Sequence, residues 1–253
     1  MRRLIPQLTI ACGAVAGIVF ALVPEIDLRV ARWFYDSAAP GFTLGNTPVF
    51  VFLRNLNTAI DYAIGAVLVG AIVLTLVQPW RRLVIPGRAI IFVTATYLLI
   101  PVFLANVVFK AHSARPRPYQ ITQFGAPLQF VPWWDPRGQC TRNCSFFSGE
   151  VSSAAWTLGP AALLPMPWRV PAIAGALVLT ATIAVVRMAA GGHFLSDTVF
   201  AVVITVLMLW VAYDIIYRRL RPSLTDEAID RWLTVRGLRL REWFCRRSNQ
   251  SNG

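Results

Sequence analysis

The sequence predicts an all-α integral membrane protein, a bundle of six transmembrane helices. Three observations carry that prediction. Of the 253 residues, 56% are apolar and only 14% are charged, a balance outside the range of soluble globular domains. Six stretches, 4 to 24, 57 to 78, 89 to 109, 150 to 166, 170 to 190 and 194 to 216, approach the roughly 20 mostly apolar residues that cross a bilayer. Arginine, finally, gathers at the two ends of the chain and in alternate connections between the stretches.

The first stretch follows Arg2 and Arg3 as a secretory signal would, but it lacks a small-x-small cleavage site before Pro24 and is expected to stay as an anchor. Its Gly13 and Gly17 form a GxxxG suited to helix packing. After it, Ile26, Val30, Trp33 and Phe34 recur at helical spacing beside Arg29, Arg32 and Asp36, the pattern of a short helix lying in the membrane interface. Such a helix either anchors the chain or helps to admit lipid. The fourth stretch is shortened or kinked by Pro160, Pro165 and Pro167. The segment 119 to 139 is an irregular loop whose Phe124, Phe130, Trp133 and Trp134 suit headgroup contact. Residues 1 to 217 thus form one membrane domain. Residues 218 to 253 form a basic cytoplasmic tail, in which Ile229, Trp232, Leu233, Leu240, Trp243 and Phe244 alternate with arginines as in amphipathic surface helices. No repeat or low-complexity linker interrupts the chain, and nothing in it speaks to oligomeric state.

The basic groups orient these spans. Arg2 and Arg3, then Arg81, Arg82 and Arg88, then Arg169, then Arg218, Arg219 and Arg221 all fall on one side if six spans are counted. By the positive-inside rule that side is cytoplasmic and holds both termini. Residues 25 to 56, 110 to 149 and 191 to 193 are then outside. The net charge of +12 reads as attraction to anionic headgroups, and no basic run resembles a nucleic-acid module. Cys12 lies in the first span and Cys245 in the tail, whereas Cys140 and Cys144 share an outer loop where a disulfide can persist.

Ionisable groups at a membrane are expensive, so their clusters locate chemistry. All three clusters lie on the outer side. The first, KAHSARPRP, brings together Lys110, Arg115 and Arg117 beside rigid prolines, and a basic flank outside runs against the positive-inside rule. It reads as an anion site rather than as side chains snorkelling to headgroups. The second, Ser145 to Glu150, puts Ser148 and Gly149 at a helix start, where a hydroxyl and free N–H groups face an anion or simply cap the helix. The third sets Arg187 six residues before His193 and Asp197 one helical turn after it. A carboxylate there can accept the imidazole Nδ1–H and leave Nε2 free for attack.

The order KAHSARPRP, FSGE, VRMAAGGHFLSD resembles the KxxxxxxRP, PSGH, SRxxxxxHxxxD pattern of the type-2 phosphatidic acid phosphatase superfamily, which also includes the vanadium haloperoxidases. The likeness covers roughly residues 90 to 200. It implies that Lys110, Arg117, Arg187, Ser148 and Gly149 hold the phosphoryl oxygens and that His193, oriented by Asp197, forms a phosphohistidine that water hydrolyses. No metal or cofactor enters that scheme. The chain departs from the pattern at Val186, at Phe147 and, most consequentially, at Glu150, which stands where the family has the histidine that protonates the leaving alkoxide. Glu150 is either the general acid or a spectator. His112, the only other histidine, is an alternative donor or a headgroup contact.

The function this implies is removal of phosphate from a lipid in the outer leaflet of a bacterial inner membrane, with the active site at the outer, periplasmic face. The SGE variant preceded by Asn143, Cys144 and Ser145 looks like lipid A phosphatases of Gram-negative bacteria. Phosphatidylglycerophosphate, phosphatidic acid and undecaprenyl diphosphate are the other candidate substrates. A reading of another class is a catalytically impaired lipid-phosphate-binding protein, although binding alone needs neither His193 nor Asp197. A transporter would place its charges near the midplane, and a haloperoxidase would require bound vanadate, a chemistry associated with the soluble members of the superfamily, so the six spans argue against it.

Overall fold

A computed structural model describes residues 4–79, 84–220 and 223–251, with side chains as far as Trp243. Arg2, Arg3, Arg81, Arg82 and Arg221, and the side chains of Phe244 and Cys245, lie outside the described residues. In chain order the helices are α1 (Leu4–Leu22), α2 (Glu25–Arg32), α3 (Pro48–Val77), α4 (Gly87–His112), α5 (Gly149–Trp156), α6 (Leu158–Leu163), α7 (Arg169–Ala189), α8 (Leu195–Arg219) and α9 (Asp226–Ser251). Among the described residues the only β features are two isolated bridges.

Among the described residues five helices, α1, α3, α4, α7 and α8, are long and apolar enough to cross a membrane. Large side chains such as Leu8, Val15 and Ile18 of α1 are exposed, as expected of a surface solvated by lipid. The fourth predicted stretch is helical but broken. It divides at Thr157 into α5 and α6, and ends before Pro165. Together the two pieces rise only about 22 Å, short of the roughly 30 Å hydrocarbon core. Its first part is instead an interior element: Val151, Ala154, Ala155 and Trp156 are buried, and the Trp156 indole donates to Thr96 at 2.9 Å.

Helix α3 begins nine residues before the predicted boundary. Pro48 suits the first turn because its missing N–H would be unpaired there anyway. The apolar run 49 to 53 then carries Arg54 in as part of the helix. Helix α4 widens to π geometry over Leu98–Phe109 around Pro101, whose ring cannot supply the regular hydrogen bond. The Asn106 amide donates to the Pro101 carbonyl at 2.9 Å, and Lys110 leaves the end of this stretch.

The chain divides into two compact units, Met1–Ala59 with Thr96–Val211, and Ile60–Ala95 with Ala212–Gly253. The first has a core of Phe20, Ala105, Phe146, Phe147, Val151, Ile183 and Phe200. A second aromatic cluster unites Phe42, Ile121, Phe124 and Phe194. Gly13 packs against Val203, the helix-packing role expected of it. Helix α2 is amphipathic as predicted, with Trp33 exposed just beyond its end and Asp27 and Ala31 buried. In the second unit, Arg88 clamps Asp226 through its backbone N–H, Nε and Nη2 at 2.7–3.0 Å. The tail forms one continuous helix there, α9, with Leu233 buried and Trp232 exposed.

Candidate active site

Every charged group of the third cluster is buried in the first unit. His193 sits in the tight turn between α7 and α8, 3% exposed. Its Nδ1 lies 2.7 Å from the Ser145 carbonyl oxygen and 3.9 Å from Asp197 Oδ2. A carbonyl only accepts, so Nδ1 carries the proton and Nε2 presents a lone pair. The direct His193–Asp197 hydrogen bond expected from sequence is therefore replaced by one to the backbone, because Ser145, 48 residues away in the chain, packs into the gap. Asp197 acts one step back. It accepts the Ser145 hydroxyl and the Phe194 N–H, the latter at 2.9 Å, and pairs with Arg115. The Ser145 N–H donates to the Arg115 carbonyl at 2.8 Å.

Cations surround the imidazole. Burial first, then Arg187, Arg117 and Lys110 in that order, push His193 well below the ordinary histidine range. The ring is thus held neutral, the form that attacks. Arg117 is fixed by Asn143, whose carbonyl takes Nε at 2.9 Å and whose side-chain oxygen takes Nη2 at 2.8 Å. Asn143 adopts a left-handed φ of 53°, which asparagine tolerates better than most residues. It lies inside the small ring closed by the Cys140–Cys144 disulfide, which the structure contains. Ser148 caps α5 by accepting the Val151 N–H. A Cβ at Gly149 would stand 3.1 Å from Lys110 Nζ, and one at Gly192 would stand 2.6 Å from Arg187 Nη2. Glycine at both positions lets cation and backbone N–H groups converge on one anion-sized space. Arg187 Nε is buried with no partner among the described residues.

Two candidates lie elsewhere. Arg115 does not join the anion site: it is 1% exposed and turned onto two buried carboxylates, Asp27 and Asp197. The sequence offers no way to foresee that α2 supplies the first of these. His112 is exposed, donates from Nδ1 to the Val108 carbonyl at 2.7 Å, and borders a cavity of about 280 Å³ with Trp133, Trp134 and Asp135.

Glu150 lies at the site but is already paired. Arg54 grips both its oxygens, Nε at 3.0 Å and Nη2 at 2.8 Å, and Arg187 Nη1 is 3.5 Å away. Such a bidentate pair holds the ionised form. Arg54 was not legible as a site residue. Its only signal is a cation in the apolar start of α3, and the same signal fits a snorkelling anchor.

A phosphoryl group fits this arrangement: a neutral nucleophile with an open Nε2, flanking cations and helix N–H groups to take developing negative charge. Comparisons with known proteins agree. The PAP2 superfamily model matches residues 88–221. A lipid A 4'-phosphatase of Francisella tularensis subsp. novicida (strain U112) is 31% identical over 209 residues, covering 81% of this chain and 92% of that protein. Lipid A 4'-phosphatases of Rhizobium leguminosarum and Rhizobium etli are each 32% identical, covering 72% and 71% of this chain and 83% and 74% of their own lengths. No solved structure matches significantly. All three sequence clusters that build the site fall inside the matched region, and the chain belongs to the PAP2 superfamily.

Proposed function

We propose that this protein is a metal-independent phosphatase of the bacterial inner membrane that removes the 4'-phosphate of lipid A at the periplasmic face. The His193 imidazole, its Nδ1–H held by the Ser145 carbonyl at 2.7 Å so that Nε2 is left to attack, with Lys110, Arg117 and Arg187 around it, is the observation that carries the phosphatase reading. The names of three relatives supply the substrate.

In this reading the phosphate lies among the three cations, Ser148 and the Gly149 N–H. Nε2 of His193 attacks phosphorus, the bond to the sugar oxygen breaks, and that oxygen takes a proton. Glu150 is the donor. The incoming phosphate competes for Arg54 and Arg187, and its negative charge beside the released carboxyl favours the protonated form. Water then attacks the phosphohistidine and returns a proton to Glu150, the P–N bond breaks, and inorganic phosphate leaves. The net negative cluster behind His193 stabilises the imidazolium that forms.

The orientation has support along α7. Arg169 and Arg187 stand about 27 Å apart on it, so this helix has a cytoplasmic arginine at one end and a site cation at the other. With α5 and α6 carrying the chain back between Lys110 and Arg169 as a broken sixth crossing, and residues 218 to 253 as a basic inner tail, both termini are cytoplasmic.

The test is phosphate release by detergent-purified protein from lipid A, phosphatidylglycerophosphate, phosphatidic acid and undecaprenyl diphosphate, beside His193→Ala. Release from lipid A that the substitution abolishes is the expected result. Binding of lipid A without release would instead identify a lipid-phosphate binder disabled at Glu150.

A further inference from the structure

Helix α8 starts at Leu195, directly behind the nucleophile, and its preceding residue, Phe194, has no side-chain oxygen to cap it. A helix start needs acceptors for its free N–H groups. Asp197 takes the Phe194 N–H at 2.9 Å, which is half of a capping box. The other acceptor comes from 169 residues away: Asp27 Oδ1 takes the Ser196 N–H at 2.8 Å, and Oδ2 takes the Ser196 hydroxyl at 2.6 Å. The same Oδ2 accepts from Arg115 Nη2 at 2.7 Å, while Arg115 Nη1 bonds Ser196 and Asp197. Asp27, Arg115, Ser196 and Asp197 are all 1% exposed or less. Phe194 also stacks on Arg115, 4.5 Å from ring centroid to guanidinium carbon.

We propose that Asp27 is a positioning residue for the nucleophile: from α2 it caps the helix that begins behind His193 and holds Arg115 against Asp197. This rests on the reading of His193 as nucleophile. The chain of contacts is continuous, from Asp27 through Arg115 and Asp197 to the Ser145 hydroxyl, and from the Ser145 carbonyl to Nδ1. Charge points the same way. Arg115 alone would neutralise Asp197, but with Asp27 the cluster carries one net negative charge, which faces the imidazolium formed on phosphoryl transfer. Helix α2, outside the matched family region of 88–221, thus belongs to the catalytic apparatus.

Asp27 touches no substrate, so its removal should alter rate and not phosphate affinity. The experiment is single-turnover hydrolysis of lipid A in mixed micelles, with full-length detergent-solubilised protein in excess, for the parent, Asp27→Asn, Asp27→Glu, Thr205→Val and His193→Ala. With enzyme in excess the rate constant reports folded molecules, and misfolded protein changes only their number. Asp27→Asn is expected to lower the rate constant about 10²-fold, the usual cost of a reacting group displaced by about 1 Å, with inhibition by inorganic phosphate unchanged within about threefold. Asp27→Glu keeps the charge, shifts the carboxylate by one methylene, and should lose about tenfold. Thr205→Val removes the buried partner of Ser152 and should lower the melting temperature while sparing the rate constant. Rate constants within about threefold of the parent for both Asp27 variants would overturn the proposal. Full turnover by His193→Ala would overturn the nucleophile reading itself, and the proposal with it.

Discussion

Replacing Gly192 by alanine should separate catalysis from stability at this site. The new Cβ would stand 2.6 Å from Arg187 Nη2 and 3.1 Å from its Cζ. Ordinary contact needs about 3.5 Å, so the guanidinium must withdraw by nearly 1 Å. Little resists the movement: Arg187 Nε has no partner among the described residues, and Nη1 is only loosely paired with Glu150 at 3.5 Å. The fold therefore loses at most about 1 kcal/mol, at the low end of overpacking costs. The transition state loses more. A displacement of that size costs about 10²-fold in rate, or about 2.7 kcal/mol of barrier. Gly191→Ala is the matched contrast. Its φ of +62° disfavours any side chain, and the Cβ would fall 2.4 Å from the Phe42 ring, so it should unfold the turn. The assay is kcat and KM on lipid A with a thermal melt of each variant. A Gly192→Ala protein with kcat within about threefold of the parent, or one that melts as low as Gly191→Ala, would refute the assignment of Arg187 to the phosphoryl group.

Other consequences follow from the same geometry. His193 should stay neutral as pH falls through the ordinary histidine value of about 6.5, because burial and three cations oppose its protonation. Nitrogen NMR of ring-labelled protein, with His112→Gln for assignment, checks this, and a His193 midpoint at or above 6.5 contradicts it. If Glu150 donates the proton, Glu150→Gln should cost about 10²-fold or more on lipid A and much less on p-nitrophenyl phosphate, whose leaving group needs no proton. Equal losses on both substrates, or none, would make Glu150 a spectator. Replacing both Cys140 and Cys144 by serine should loosen Asn143 and hence Arg117, raising KM for lipid A about tenfold while kcat falls less, since phosphate binding weakens before the nucleophile is touched. An unchanged KM would show that the ring does not hold Arg117.

Much of this protein was readable before any coordinates. Solvation depends on each residue's own chemistry, so apolar runs located α1, α4, α7 and α8 to within a few residues, and the amphipathic period located α2. Lys110, Arg117, Ser148, Arg187 and His193 stood out because three motifs in order resemble the pattern of the superfamily. The segment 150 to 166 looked long enough to span. Its division at Thr157 follows from turn geometry and from packing of Trp156 on Thr96, which composition does not report.

The tertiary structure decided the pairings. Asp197 at i+4 looked like the partner of Nδ1, yet the Ser145 carbonyl holds that proton. Arg115 looked like a third cation of the first cluster, auxiliary to the anion site, yet Asp27 and Asp197 enclose it. Glu150 stood open as general acid or spectator, with no partner in view, and Arg54 grips both its oxygens. In each case the deciding contact joins residues 48 to 96 positions apart in the chain. Sequence determines which groups need a counter-charge or an acceptor, because burial of an unpaired ion or N–H is costly whatever the fold. Which group answers that need depends on the directions in which packed helices aim their side chains, and helical period along one segment carries no information about the face of another.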